Sequence, residues 1–266
     1  MGRSHFRFSQ AFQTIPTSLL GTQARPLQVC TVQGAFALEL DTPHQRGMMT
    51  EPHESRLARA LLVLTAATGL IDAVSYLALG HVFTANMTGN VVFLAFAVAG
   101  APDLSIPRSA VSLGAFLAGA VAGGRLAARL GRGPQHRWVA TALGAEAVLL
   151  LGAALAAAVG AGAAPYPLYG IIVLTALAMG VRNATVRKLA VPDLTTTVLT
   201  LTLTGLAADS GLAGGANPRA WRRGASVLSM FLGAAAGALL VRYSLVLPLV
   251  VSGVVACGCA VALTRR

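Results

Sequence analysis

The chain has 266 residues, of which 55% are hydrophobic and only 11% carry a charged side chain. Soluble domains usually carry about a quarter charged residues, so this chain has too few to cover a water-exposed surface. Its 29 glycines follow no Gly-X-Y period, and its three cysteines are too few for a disulfide framework. Composition therefore excludes a soluble, collagen-like or disulfide-stapled protein and predicts an all-α integral membrane protein.

The formal net charge is +11, from 20 Lys and Arg against 9 Asp and Glu, a balance also found in DNA-binding proteins. Here the arginines neither line one helix nor alternate with stacking aromatic residues, as nucleic-acid recognition requires. They cluster between apolar stretches, where basic residues orient membrane proteins. We therefore expect the chain to bind no nucleic acid and to have the lipid bilayer as its partner.

Residues 1–50 differ in composition from the rest of the chain. They contain three prolines and scattered Gln and Ser without a sustained period, which predicts a poorly ordered N-terminal tail. The segment lacks the pattern of a secretory signal peptide. Met48 and Met49 come just before the first apolar stretch, which leads to the hypothesis that translation starts there and that the preceding tail is an over-extended reading frame. Native peptides upstream of Met48 in a mass spectrum would refute it.

Residues 51–266 are predicted to form a single helical transmembrane domain. Six apolar stretches have the length of about 20 residues that crosses a bilayer as a helix. They run approximately over residues 60–79, 109–128, 138–159, 168–188, 225–241 and 245–263. Two further stretches, 84–101 and 194–208, are polar or short, which leaves six, seven or eight spans open.

Basic residues near the ends of spans favour the cytoplasmic side and can distinguish these counts. Arg56 and Arg59 put the N-terminus inside. If both ambiguous stretches enter and leave the membrane on one side, the basic clusters after the second and fourth apolar stretches also lie inside. If the stretch 84–101 crosses the membrane completely, both clusters lie outside. The charges thus favour six transmembrane helices plus two short polar re-entrant or broken segments. Eight transmembrane helices are the alternative.

An internal repeat supports this division of the chain. LTAATGLIDA in the first apolar stretch resembles LTALAMGVRNA in the fourth, and with Gly69 set against Gly180, Asp72 falls on Asn183. Later in each half, GAVAGGRLAAR resembles GAAAGALLVR. Two pseudo-symmetric repeats are predicted, inverted if each half crosses three times and parallel if it crosses four times. The halves run from about 57 to 162 and from about 166 to 266.

Asp72 lies near the middle of the first span, where an ionised carboxylate costs at least ~2.5 kcal/mol. It is either a proton or cation site facing an internal cavity, or one partner of a hydrogen bond or ion pair that locks the bundle. Arg182, next to the counterpart of Asp72, is the expected partner. Glu146, about two turns into its span, is a second candidate for a proton site, with internal hydrogen bonding as the alternative.

The two short polar segments are the other candidate binding elements. Paired broken segments at corresponding positions of two halves are typical of a transporter's binding site, although their amides and hydroxyls can also serve only to bond neighbouring helices. The alternation of apolar and polar residues over 198–204 is typical of a strand, but a lone strand cannot satisfy its backbone in lipid. The further solute-binding or ion-binding candidates are Thr84, Asn86, Thr88, Asn90, Asn183, Asp193, Thr195, Thr196, Thr197, Thr200 and Thr204.

Two GxxxG motifs, at Gly119 and Gly123 and at Gly233 and Gly237, put small residues on one helix face and favour close helix packing. The partner helix can belong to the same chain or to another copy, so a homo-oligomer is one alternative. The sequence contains no hydrolase, P-loop or dinucleotide-binding motif in a plausible context and no pair of metal-ligating cysteines. We therefore expect neither an enzyme nor a cofactor or metal site.

The segments TGLIDAVSYLALGHVFTANMTGN and AMGVRNATVRKLAVPDLTTTVLTLTLTGLAADS resemble a bacterial membrane family known as YoaK or DUF1275, and the resemblance covers approximately Leu57 to the C-terminus. It implies a multi-pass protein of the bacterial cytoplasmic (inner) membrane, from a family commonly described as uncharacterised or as transporters, and it supplies neither a substrate nor catalytic residues. The leading hypothesis is a secondary transporter of an unidentified small solute, coupled to protons through titrating carboxylates. A channel and a non-transporting scaffold or sensor are the alternatives.

Overall fold

A computed structural model describes residues 51–131, 133–160, 166–191 and 199–264 of the chain. Within these residues the chain folds into eight α-helices and one short 3₁₀ turn at Gly211–Ala213. The helices are α1 (Glu51–Ala78), α2 (Met87–Val98), α3 (Ile106–Leu130), α4 (Gln135–Val159), α5 (Tyr166–Leu189), α6 (Leu199–Ala208), α7 (Ala220–Val241) and α8 (Val246–Thr264). The predicted all-α architecture is confirmed, while the N-terminal tail lies outside the described residues.

Six of the described helices, α1, α3, α4, α5, α7 and α8, are long and apolar enough to cross a membrane. The other two, α2 and α6, contain 12 and 10 residues. At 1.5 Å per residue they extend only about 18 and 15 Å, well short of the roughly 30 Å hydrocarbon core. The prediction of six spans plus two short polar segments is confirmed, and the alternating stretch around α6 is helical rather than extended.

The short helix α2 belongs to a segment that enters and returns on one side of the bundle. Gly80, just after α1, lies against the guanidinium group of Arg108 in the first turn of α3. The Ser112 hydroxyl of α3 also donates a hydrogen bond to the Phe83 carbonyl over 2.6 Å. The end of α1 and the start of α3 are therefore neighbours, and the intervening chain does not cross the bilayer. This geometry excludes the eight-span alternative in the first half.

Glycines allow two pairs of helices to approach until their backbones touch. In the first pair, Gly69 of α1 lies against the Met230 carbonyl of α7, and Gly233 of α7 lies against the Ala66 carbonyl. A β-carbon at Gly237 would approach the Leu70 carbonyl oxygen to 2.7 Å, closer than a real β-carbon comes. Gly233 contacts Ala66, and Gly237, four residues later, contacts Leu70, four residues later on α1. The two helices therefore run parallel.

The second pair, α3 and α5, repeats this arrangement. Gly180 of α5 lies against the Phe116 carbonyl of α3, and Gly119 of α3 lies against the Leu177 carbonyl. Gly123 meets α5 one turn further along, at Val181. Each contact matches one in the first pair, because α1 aligns with α5 through Gly69 and Gly180 and α3 aligns with α7 through Gly119 and Gly233. The predicted pseudo-symmetric repeats are therefore present in the packing.

The GxxxG motifs thus pack against helices of the same chain, whereas the sequence left open whether the partner helix belongs to the same chain or to another copy. With three crossings in each half, the second half enters the membrane from the opposite side, and the repeats are inverted. The helices α4 and α8 pack on each other, and α4 also packs on α5. The core, which includes Ile71, Leu150, Met179 and Leu249, lies between these helices.

Candidate functional site

Arg182, in the C-terminal half of α5, is fully buried and connects three helices. Its Nη1 donates hydrogen bonds to the Thr68 hydroxyl over 2.8 Å and to the Leu64 carbonyl over 2.9 Å, both on α1. Its Nη2 forms an ion pair with Glu146 of α4, and neither side chain of this pair is exposed. A guanidinium group suits this position because its several donors point in different directions within one plane.

The partner of Arg182 differs from the sequence expectation, which paired it with Asp72. The helices α4 and α5 are sequence neighbours that pack together extensively, whereas α1 and α5 meet only locally. Glu146 is therefore the carboxylate that the guanidinium group reaches. Asp72 is close enough to interact electrostatically with Arg182, but the described residues place no lysine or arginine nitrogen at salt-bridge distance from it.

Asp72 lies on α1 beside the start of the re-entrant segment and is only 8% exposed. The backbone N–H groups of Ala85 and Asn86, which immediately precede α2, face its carboxyl group. Its Oδ1 atom has no hydrogen-bond partner among the described residues. The carboxyl group therefore lies where a transmembrane helix meets the broken backbone of a short one.

Other buried polar atoms in this region also have no hydrogen-bond partner in the described part of the chain. They are Glu146 Oε2, Arg182 Nε and Thr84 Oγ1. Because buried polar groups in native proteins are nearly always hydrogen-bonded, such atoms are candidate contacts for water, an ion or a ligand. We call Asp72, Thr84, Glu146 and Arg182 the core polar cluster.

Asn90 of α2 holds the re-entrant segment together. Its Oδ1 accepts a hydrogen bond from the Phe83 backbone N–H over 2.8 Å, and its Nδ2 donates to the Phe83 carbonyl and, over 3.2 Å, to the Ser112 hydroxyl. Asn86 is exposed and accepts a hydrogen bond from Gly89 at the start of α2. These amides are used in building the segment, and Thr88 is exposed.

In the second half, Asn183 is half-buried and donates a hydrogen bond to the Met179 carbonyl of its own helix over 2.8 Å. Thr200 and Thr204 are exposed on α6. Asp193, Thr195, Thr196 and Thr197 lie outside the described residues. Of the residues predicted from sequence, Glu146 and Arg182 are in contact and Asp72 lies within electrostatic range of Arg182, whereas Thr200 and Thr204 lie on the surface.

Two polar contacts were missed by sequence reasoning. Thr68 lies four residues before Asp72 on α1, and this helical spacing is the signal that could have added it to the cluster. Arg223 of α7 donates from Nη1 to the Gly205 carbonyl and to Asp209, each over 2.7 Å. It thereby joins the end of α6 to α7, as the contact between Ser112 and Phe83 joins the first polar segment to α3.

The fold and this buried cluster define a multi-pass, all-α membrane protein built from two inverted repeats. The profile of the family described as "Protein of unknown function (DUF1275)" matches residues 60–263, and the chain belongs to that family. The resemblance noted in the sequence is thus confirmed.

Among curated relatives, the UPF0700 transmembrane protein YoaK of Bacillus subtilis (strain 168) is 35% identical over 153 residues. The match covers 56% of this chain and 64% of that protein, which is less than two thirds of its length. No solved structure matches the chain.

Proposed function

We propose that the chain is a proton-coupled secondary transporter of a small solute, rather than an enzyme, in the bacterial cytoplasmic membrane. The observation that carries the proposal is the environment of Asp72, a buried carboxyl group with an unpartnered oxygen beside a broken helix. Ionisable residues inside membranes are costly and typically mark ion or substrate paths. Broken helices at the interface of two repeats typically form transporter binding sites.

The pairing of the cluster favours this function over a purely structural role. Asp72 corresponds in the repeat to Asn183, the residue next to Arg182. If the buried charges only locked the bundle, Arg182 would be expected to form its ion pair with Asp72. Its ion pair is with Glu146 instead. Asp72 therefore keeps the freedom to take up and release a proton while the ion pair stays intact.

Alternating access follows from the arrangement of the repeats. The core polar cluster is closed off in this conformation, because all four of its side chains are buried. The parallel pairs α1–α7 and α3–α5 are each joined by backbone contact at glycines and would move as units. A movement of one pair against the other would open the cluster first to one side of the membrane and then to the other.

The membrane orientation is part of the proposal. With six spans and the N-terminus in the cytoplasm, the basic residues at the C-terminal ends of α3 and α5 lie inside. These are Arg125, Arg129, Arg187 and Lys188. The N-terminal ends of α1 and α7 carry further arginines on the same side, while Arg108 and Arg242 lie outside.

Replacing the carboxyl group of Asp72 tests the proposed function. We expect the substitution Asp72→Asn to abolish proton movement that is driven by a solute, because the amide cannot bind and release a proton. The fold should survive, since the equivalent position of the second repeat is naturally an asparagine, Asn183. Proteoliposomes that contain a pH-sensitive dye, challenged with a panel of amino acids, sugars, carboxylates and quaternary amines, provide the measurement.

The matched control is Asp103→Asn, the same chemical change at an exposed loop residue. Its positive φ of 67° suits asparagine at least as well as aspartate. Proton movement that is identical in the wild type and in Asp72→Asn would remove Asp72 from the mechanism. Solute flux without saturation or counterflow would favour a channel, and inertness toward every solute would favour a scaffold or sensor.

A further inference from the structure

We infer that the transported solute is a monovalent cation, which exchanges one-for-one with a proton at Asp72. The inference rests on the proposed function and names the class of its substrate. Its basis is the charge balance of the core polar cluster and the set of buried atoms that the protein itself leaves unpartnered.

The cluster lacks one positive charge. It contains two carboxyl groups, Asp72 and Glu146, and one guanidinium group, Arg182, which stays protonated in proteins. The ion pair between Arg182 and Glu146 cancels two of these charges. From α8, the nearby Cys259 contributes an uncharged thiol, and α1 contributes the neutral Thr68 hydroxyl.

Within the described residues no second cation can supply the missing charge. The other arginines and the lysine of the described helices lie toward helix ends, and none forms a salt bridge with Asp72. An uncompensated charge in a low-dielectric interior is strongly unfavourable. The cluster is therefore neutral when Asp72 holds either a proton or one monovalent cation.

Three of the four unpartnered atoms of the core polar cluster can face a cationic ligand, and the fourth, Arg182 Nε, is a donor that a water molecule can satisfy. Asp72 Oδ1 and Glu146 Oε2 are buried hydrogen-bond acceptors, and the oxygen of Thr84 can also accept. An anionic solute would bring a second uncompensated negative charge to the same place. The backbone N–H groups of Ala85 and Asn86 stabilise the carboxylate in the interval when neither ligand is bound.

One-for-one exchange follows from the same charge balance. The proton and the cation need the same carboxylate, so each excludes the other. The cluster is neutral with either ligand and negative only when empty. Passing through a closed conformation with the empty, negatively charged cluster costs free energy, because the carboxylate is then buried without a compensating charge. Proton and cation therefore cross in opposite directions, and the exchange moves no net charge.

The test uses the full-length chain in proteoliposomes loaded with a pH-sensitive dye at acidic internal pH, with the membrane potential clamped by potassium and valinomycin. The cationic probes are sodium chloride and the chlorides of tetramethylammonium and guanidinium, each replacing N-methylglucamine chloride. We expect at least one cation to drive protons out in a saturable way that does not change when the clamp is omitted. Asp72→Asn should reduce this proton efflux to the rate of protein-free liposomes, and Asp103→Asn should retain it.

The outcomes separate this inference from the proposed function. If no cationic probe moves protons, the solute is not a monovalent cation. If only the glutamate salt of N-methylglucamine moves protons, in an Asp72-dependent way, the solute is not a cation either, but that result still supports a proton-coupled transporter. A rate that depends on the clamp would overturn the one-for-one exchange. Equal efflux from the wild type and Asp72→Asn would overturn both proposals.

A measurement on the unaltered protein covers the case in which Asp72→Asn fails to fold. Dicyclohexylcarbodiimide modifies protonated carboxyl groups in apolar surroundings, and mass spectrometry of the Asp72 peptide reports the extent of modification. A cation that drives proton efflux should protect Asp72 from the reagent, whereas sodium-free glutamate should not. Unchanged modification in the presence of that cation would contradict binding at Asp72.

Discussion

At the scale of single residues, Arg182 has the largest structural role in the buried cluster. Its guanidinium group contacts Glu146 on α4 and both Thr68 and the Leu64 carbonyl on α1, so one side chain ties together three helices. Removing one partner of a buried ion pair leaves the other charge uncompensated in a low-dielectric interior. The stability of the bundle should therefore depend on the pair as a unit rather than on either charge alone.

We expect Arg182→Met to lower the free energy of unfolding by about 3–5 kcal/mol, because Glu146 then stays buried without its cation. The double variant Arg182→Met/Glu146→Leu should recover most of that loss, since it removes both charges. Unfolding in mixed micelles titrated with sodium dodecyl sulfate provides the measurement. Arg187→Met, at an exposed position on the same helix, is the control and should change stability by no more than about 0.5 kcal/mol. A double variant as unstable as the single one would contradict the pairing.

At the scale of helices, contact between backbones organises the bundle. On α3, Gly119 lies against the Leu177 carbonyl of α5, whereas a β-carbon at Gly124 of the same helix would meet nothing within 4 Å. On α7, Gly233 lies against the Ala66 carbonyl of α1, and Gly224 is open in the same sense. Each packed glycine thus has a free one on its own helix for comparison.

We expect Gly119→Ala and Gly233→Ala to destabilise the protein by about 1–3 kcal/mol each, because a methyl group is forced onto a rigid carbonyl. Gly124→Ala and Gly224→Ala should be neutral or stabilising by up to about 1 kcal/mol, since alanine has the higher helix propensity. The same detergent unfolding titration compares all four variants. If the packed and the open glycine of one helix gave equal changes in stability, the α3–α5 and α1–α7 contacts would be less tightly packed than the structure shows.

The repeat alignment was readable from the sequence, but the helix that each glycine meets was not. Gly119 and Gly233 share a small-residue pattern that is compatible with any close neighbour in the same chain or in a second copy. The partner depends on which helices the whole bundle brings together. Likewise, Asn90 and Thr88 both carry polar side chains in one segment, and only packing decides that Asn90 is buried and Thr88 exposed.

At the scale of the whole molecule, the number of crossings decides on which side each loop lies. The contact between Gly80 and Arg108 brings the end of α1 next to the start of α3. With the N-terminus in the cytoplasm, the loop before α3 is then outside and the loop between α3 and α4 is inside. A chain with eight spans would reverse both positions, so labelling of the two loops distinguishes the topologies.

In a variant in which Cys30, Cys257 and Cys259 are replaced by alanine, we expect Pro102→Cys to react with a membrane-impermeant maleimide on intact cells. Gly133→Cys should react only after the cells are permeabilised, because the proposed orientation places its loop in the cytoplasm. Both positions are exposed, so access to the reagent depends on the side of the membrane. The reverse labelling pattern would contradict six spans with a cytoplasmic N-terminus.

The sequence by itself determined the location in a membrane, the two short polar segments and the repeat, and its basic residues favoured six spans over eight. These properties depend on the length, hydropathy and order of local segments, because whether a segment crosses the bilayer is decided mainly by its own length and hydropathy. Asp72, Glu146 and Arg182 were recognisable as candidates for the same reason, because an ionisable side chain inside an apolar stretch is conspicuous wherever the stretch packs.

Only the tertiary structure decided that Arg182 pairs with Glu146, that Asp72 keeps an unpartnered oxygen, and that the GxxxG motifs bind α1 and α5 of the same chain. These contacts join residues far apart in the sequence. Their geometry depends on how the two inverted halves cross, and no local pattern of residues specifies that crossing.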